Sequence, residues 1–414
     1  MAWRSLVGHR APASAGARGG ACVRVRLTPQ HDGPELTDIL GEHRDRFGPL
    51  ALHQLRAVQD IMSCRTGILG GHVRGCDACG HQEIRYNSCR NRHCPKCQGL
   101  EQARWLDRQE AAILPVEYHH VVFTVPDILN TLFRRDPGTA YRLLFAAASE
   151  TLLEVAAEPA NLGACIGFTA VLHTWSQTLL LHPHIHCIVP GGGLDPERRW
   201  RSCPSRFFLP VAVLAKVFKG KLLRKFESAF GPAPGCPNVK GILVAAARKD
   251  WVVFSKPPVA GASHVLSYLA RYTQRTAISN SRIVGLRDGR VTFRYRDSAD
   301  HDRRKLMTLD VAEFIRRFLL HVLPKGLMRV RHYGLLANVN RKTLIPLCQA
   351  LLGHQPPPPA PEDEGWEAGL LRLTGKDVTR CPRCNHGTVS VLLKFDSAPR
   401  RRDAWVILGR ATFP

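Results

Sequence analysis

Acidic side chains are scarce in this chain of 414 residues: 34 Asp and Glu stand against 58 Lys and Arg, a net charge of +24. An imbalance of that size favours a polyanionic partner over scattered surface charge. No Asp or Glu lies between Glu158 and Asp195, which argues against a nuclease or integrase built on a carboxylate triad. No apolar run reaches the roughly 18–20 residues of a membrane helix, so no membrane partner and a cytoplasmic location are expected. No G-x-x-x-x-G-K-S/T run occurs; "LTGKDV" fails the pattern, and a P-loop motor is excluded. The H-E-x-x-H helix of zinc proteases is absent as well, and there is no internal repeat.

What is present divides the chain. The length suits two or three domains. Residues 1–34 open without an acid before Asp32 and with several arginines, so they are expected to form a disordered basic arm. Apolar residues at helical spacing (Leu36, Ile39, Leu40; then Leu52, Leu55, Val58, Ile61, Met62) predict two short helices, and "LEQARWLDRQEAAILP" a third that Pro115 ends. "YHHVVFTVP", "GACIGFTAVLHTW", "HPHIHCIVPGGGL" and "DWVVFSKPP" read as strands, the middle two as an antiparallel pair. Residues 127–158 look helical with a break at Pro137-Gly138, and a basic helix spans about 210–229. "SHVLSYLARYTQRTA" reads as a helix, "SRIVGLRDGRVTFRYRD" as a hairpin around Asp288-Gly289, and "DVAEFIRRFLLHVLP" as a helix. A Pro-rich acidic linker, "QPPPPAPEDEGWEAG", precedes a small C-terminal module with Cys381-Pro-Arg-Cys384. Strands and helices mix without regular βαβ alternation, which points to α+β.

Fourteen cysteines would be out of place as disulfides in a reducing compartment, and their spacing argues for metal. Cys76-x2-Cys79 and Cys94-x2-Cys97 are two knuckles, and two such tight turns complete a tetrahedral zinc site. Cys64, His72, Cys89 and His93 remain in the same segment: either a second four-ligand site or buried small side chains and exposed imidazoles. Zinc of this kind supplies about 10–16 kcal/mol of binding energy that is also folding energy. Arg90 and Arg92, on the loops between the cysteines, are candidate phosphate contacts. Cys381/Cys384 alone is half a site.

"HPHIHC" (182–187) sets three imidazoles in alternation. Residues i and i+2 of a strand share a face, so His184 and His186 point together, about 7 Å apart, and can converge on one divalent ion. Gln177 on the preceding strand is the expected third ligand, with His173 in reserve. His182 has the same parity, so spacing does not decide which pair binds; its place before Pro183 suits a phosphate contact or a support for the ligands. Tyr268 and Tyr272 fall at i and i+4 on one helix face, flanked by Arg271 and Arg275. Such a pair is either core packing or, beside DNA, two phenols whose attack on a metal-polarised phosphate needs little further activation.

Together these segments resemble the two-tyrosine HUH transposases of rolling-circle insertion sequences, the insertion sequence ninety-one family, over about residues 35–345. The likeness rests on "CRTGILGGHVRGCDACGHQEIRYNSCRNRHCPKCQ", "HTWSQTLLLHPHIHCIVPGGGL", "YLARYTQRTAISN" and "RRFLLHVLPKGLMRVRHYGLLAN". It implies a zinc-ribbon-like, DNA-contacting domain at 35–110, an HUH nuclease domain at 111–345 with a central antiparallel sheet flanked by helices, and a linker and tail at 346–414. It further implies His184 and His186 as ligands of a catalytic Mg²⁺ or Mn²⁺, and Tyr268 and Tyr272 as nucleophiles. By this resemblance the protein is a bacterial, nucleoid-associated transposase. It cleaves and rejoins single strands at element ends through a 5′-phosphotyrosine, with unwinding left to a host helicase. The competing reading is a non-catalytic, zinc-dependent DNA-binding regulator.

Overall fold

A computed structural model describes residues 33–204, 208–231, 238–259, 265, 276–355 and 364–397. Its centre is a five-stranded antiparallel sheet in the order β12-β4-β5-β3-β8. The strands are β3 (Tyr118–Thr124), β4 (Gly167–Trp175), β5 (Leu181–Pro190), β8 (Val253–Val259) and β12 (Val330–Gly334). The expected pairing of the two apolar runs is found: β4 and β5 run antiparallel with His173 opposite His184 and Val171 opposite His186.

Period-two alternation gives this sheet two unlike faces. Ile185, Cys187 and Val189 of β5 point one way with Phe123 and Phe168, and all are buried. Onto that face pack α5 (Pro137–Ala157) and α6 (Val211–Phe230), through Tyr141, Phe145, Phe218 and Phe226. Burial of each such ring contributes about 1.5–3 kcal/mol. The break expected at Pro137 is the start of α5: Pro137 takes the first helical position, where its missing N–H costs nothing, and Asp136 accepts from the Thr139 N–H at 3.0 Å. His184, His186 and Ile188 face the other way.

A second core joins the N-terminal helices α1 (Leu36–Glu42) and α2 (Leu52–Ser63) to a three-stranded sheet of β9 (Ile283–Arg287), β10 (Arg290–Asp297) and β11 (Arg303–Asp310), and to α8 (Val311–Leu319). The Asp288-Gly289 hairpin is as expected, both residues taking positive φ (50° and 66°). β11 was not expected from the sequence; its exposed face carries Arg304, Leu306, Thr308 and Asp310.

The C-terminal segment does not stand apart. α9 (Asn338–Leu351) runs across the boundary expected at 345, and α10 (Trp366–Thr374) ties to α3 (Gly99–Glu110) through Arg372 and Asp107. β13 (Val389–Phe395) pairs with β1 (Gly71–Cys76), whose other neighbour is β2 (Gln82–Tyr86). The segment expected as a tail therefore completes the sheet of the N-terminal cysteine module. No helix among the described residues is long and apolar enough to cross a membrane.

Candidate metal centres and the histidine face

Three imidazoles converge on the face of the central sheet opposite α5 and α6. The ligand nitrogens of His173, His184 and His186 all lie within 4.8 Å of one another. His184 Nδ1 sits 2.6 Å from the His182 carbonyl oxygen and donates to it, which puts its lone pair on Nε2. His186 Nδ1 lies 2.8 Å from His120 Nε2 on β3, and the two rings stack with centroids 4.9 Å apart. With His186 Nδ1 as the donor of this bond, the His186 lone pair would lie on Nε2, the tautomer a metal ligand needs. Burial pushes His184 down to about 4, so it is a neutral imidazole at pH 7. A trio of imidazoles without a carboxylate among them tolerates Mn²⁺ better than Mg²⁺, which holds more strictly to oxygen.

His173, the reserve, takes the place expected for Gln177. β4 stays paired as far as Trp175 opposite Leu181, so Gln177 falls in the turn beyond the ladder. There it is exposed, and its carbonyl accepts from Arg282 Nη2 at 2.5 Å. His182 stands exposed at the start of β5 and supports His184 through its carbonyl. His120 carried no sequence signal beyond the doubled histidine of "YHHVVFTVP". Only the β3–β5 register, with Val122 opposite His186, shows that it can reach that ring.

The cysteines form two quartets, grouped otherwise than expected. Cys64, Cys89, Cys94 and Cys97 make one; Cys76, Cys79, Cys381 and Cys384 make the other. The physical reason lies in β1 and β2. This hairpin carries the Cys76 knuckle away from the Cys94 knuckle and toward β13, while Cys64 at the end of α2 meets Cys89. Of the proposed second set, His72 instead faces Arg85 and Lys394 across the strands. His93 is buried and accepts from the Leu323 N–H at 3.3 Å. In the first quartet Cys89 and Cys97 Sγ are 3.7 Å apart, and the N–H of Asn91 donates to Cys89 Sγ at 3.4 Å. In the second, hydrogen bonds from the His386 and Gly387 N–H groups hold the Cys384 thiol down at about 6.

Of the arginines expected on phosphate, Arg90 is exposed, with φ 56°. Arg92 is not: its guanidinium donates to the carbonyls of Leu323, Pro324 and Leu327, pinning the cysteine loop to the chain after α8. Tyr268, Tyr272, Arg271 and Arg275 lie outside the described residues. Val265, three residues before Tyr268, is described: it is helical, 1% exposed, and packed with Ile188, Tyr118, Leu106 and Ile113. Ile188 shares the face of His184 and His186.

An antiparallel sheet with a trio of histidines on one face, joined to a module of clustered cysteines, defines a protein with a zinc-binding module and a candidate imidazole site. The comparisons place it more closely. Residues 37–125 match the family model described as a transposase zinc-binding domain, and residues 167–343 match the one described as a putative transposase. A putative transposase, y4qJ, of Sinorhizobium fredii (strain NBRC 101917 / NGR234) is 44% identical over 393 residues, covering 90% of this chain and 98% of that protein. The transposase for insertion sequence element IS801 of Pseudomonas savastanoi pv. phaseolicola is 26% identical over 322 residues, covering 75% of this chain and 76% of that protein. No solved structure matches. The chain belongs to this family of insertion-sequence transposases with an N-terminal zinc-binding domain.

Proposed function

We propose that this transposase cuts and rejoins single strands of DNA at the ends of its element by a covalent tyrosine mechanism. The observation that carries the reading is the His173/His184/His186 trio on the sheet face against which Val265 packs, three residues before Tyr268 in sequence. A divalent ion held by those imidazoles would polarise the scissile phosphate and stabilise charge developing on its oxygens. The phenolic oxygen of Tyr268 or Tyr272 attacks phosphorus, the 3′-oxygen leaves and takes up a proton, and a 5′-phosphotyrosine forms. One phosphodiester replaces another, so the 3′-OH can reverse the step on a new strand without ATP. The second tyrosine, one helical turn away in sequence, accepts the second strand end.

Arg271, Arg275, Arg90 and His182 are the proposed phosphate contacts, on a chain whose charge of +24 suits a polyanion. With no P-loop in the sequence, strand separation falls to a host helicase or to melted DNA. Incubation with single-stranded end oligonucleotides and Mn²⁺ tests the reading. The expected result is an SDS-resistant adduct, abolished in the Tyr268→Phe/Tyr272→Phe double variant. Duplex binding with no adduct under any metal would overturn it and leave a zinc-dependent DNA-binding regulator.

A further inference from the structure

We infer that Cys76, Cys79, Cys381 and Cys384 bind a second structural zinc that clasps the C-terminal segment to the N-terminal module. Neither matched family model extends to Cys381 or Cys384; they end at 125 and 343. The geometry is that of a tetrathiolate site. Cys76 Sγ lies 3.7 Å from Cys384 Sγ, and Cys79 Sγ lies 3.7 Å from Cys381 Sγ, across 302 residues of sequence. A tetrahedral zinc with Zn–S near 2.3 Å has sulfur–sulfur edges of about 3.8 Å.

The surroundings are built to hold such a centre. Backbone N–H groups of Arg383 and Gly387 donate to Cys381 Sγ and Cys384 Sγ at 3.4 and 3.3 Å. Gly80 and Asn385, each just past a knuckle, take the positive φ that the two tight turns require (68° and 62°). At Gly387 a Cβ would fall 2.4 Å from Cys76 Sγ, so only glycine leaves room for the sulfur. Asp77 joins the two turns, its carboxylate accepting from the Thr388 N–H at 2.8 Å.

Besides its backbone pairing with β1 and the edge-on contact of Phe395 with Tyr86, β13 has little apolar packing among the described residues. The local core consists of Cys76, Cys381 and Val389 with Cys384 against them, so three of its four members are the thiols themselves. On the sheet's open face Ile84 is 55% and Leu393 59% exposed. A sheet so poor in buried apolar surface needs a staple to persist. This inference stands whether or not Tyr268 or Tyr272 is a nucleophile.

The test is made on the full chain. Titration with an organomercurial, which displaces only thiolate-held metal, should release two zinc ions per chain, and one from the Cys381→Ser/Cys384→Ser variant. Alkylation of the zinc-loaded wild type, mapped by mass spectrometry, covers the case in which the variant fails to fold. Cys381 and Cys384 should be protected together with Cys76 and Cys79, and all four should become reactive together on chelation. Rapid labelling of Cys381 and Cys384 in the zinc-loaded chain, or one released zinc in the wild type, would overturn the inference.

Discussion

His120 offers the sharpest probe of the histidine centre because it touches a ligand without belonging to the trio. Its Nε2 is 2.8 Å from His186 Nδ1, and the pair is buried, at 1% and 8% exposure. His120→Phe keeps the ring volume and the stacking but removes the hydrogen-bond acceptor. His186 then loses the partner that fixes its tautomer and orientation. Loss of such a support typically weakens metal binding about 10–100-fold, or about 1.4–2.8 kcal/mol. Loss of the buried hydrogen bond itself costs about 1 kcal/mol of fold stability. Affinity is read by Mn²⁺ electron paramagnetic resonance on the zinc-loaded chain, stability by thermal melting. His119→Phe is the control: His119 lies on the opposite face of β3, stacked on Phe208 at 4.9 Å. It should alter melting with Mn²⁺ affinity intact. If His120→Phe binds Mn²⁺ within twofold of wild type, the hydrogen bond does not orient His186 as argued.

The third ligand separates cleanly by mutation: His173→Ala should abolish Mn²⁺ binding and adduct formation, while Gln177→Ala should leave both within about threefold, a difference of about 0.7 kcal/mol. Acid should destabilise the fold between about pH 6.5 and 4. Burial holds His321 and His332 down at about 4, so the unfolded chain takes up their protons first as pH falls. Stability is then complete above 6.5 and lost on the way to 4, on the order of 3 kcal/mol for fully buried His321; a wild-type melting temperature that stays flat over that range, or one that falls as steeply in His321→Gln, would contradict the assignment. Gly334→Ala should cost about 2 kcal/mol or more, because Gly334 has φ +58° and a Cβ would fall on the Ile166 carbonyl oxygen at 1.8 Å; denaturant melts would show it.

The central sheet was legible because its strands alternate or run apolar in lengths of seven to ten residues. β5 showed its buried and open faces in "HPHIHC" itself. What stayed hidden depended on register. Gln177 looked closer to His184 in sequence than His173 did, but β4 continues to Trp175 before turning, and the ladder sets His173 opposite His184. The cysteines failed for a related reason. A C-x2-C knuckle is half of a site, and spacing alone cannot say which halves combine. Neighbouring knuckles looked like partners, yet a short hairpin between them sends each to a different quartet. β12 and β13 are edge strands whose partners lie far away in sequence, so nothing local marks their pairing.

The quartet of Cys64, Cys89, Cys94 and Cys97 is mechanically continuous with the histidine centre. His93, beside Cys94, accepts from the Leu323 N–H, and Arg92 holds the carbonyls of Leu323, Pro324 and Leu327. Two residues before Leu323, buried His321 bridges Thr174 Oγ1 at 3.1 Å and the Leu179 carbonyl at 2.9 Å, one on each side of the β4–β5 turn. Trp175 stacks on His173 at 4.7 Å and meets the His321 ring edge-on at 6.1 Å. These contacts are directional and those of His93 and His321 are buried, so a shift of the cysteine loop is passed to the chain after α8, and with it to the turn that sets His173 against His184. The cysteine module is thus part of the support of the imidazole trio, and this gives a physical reason for the two to be carried on one chain.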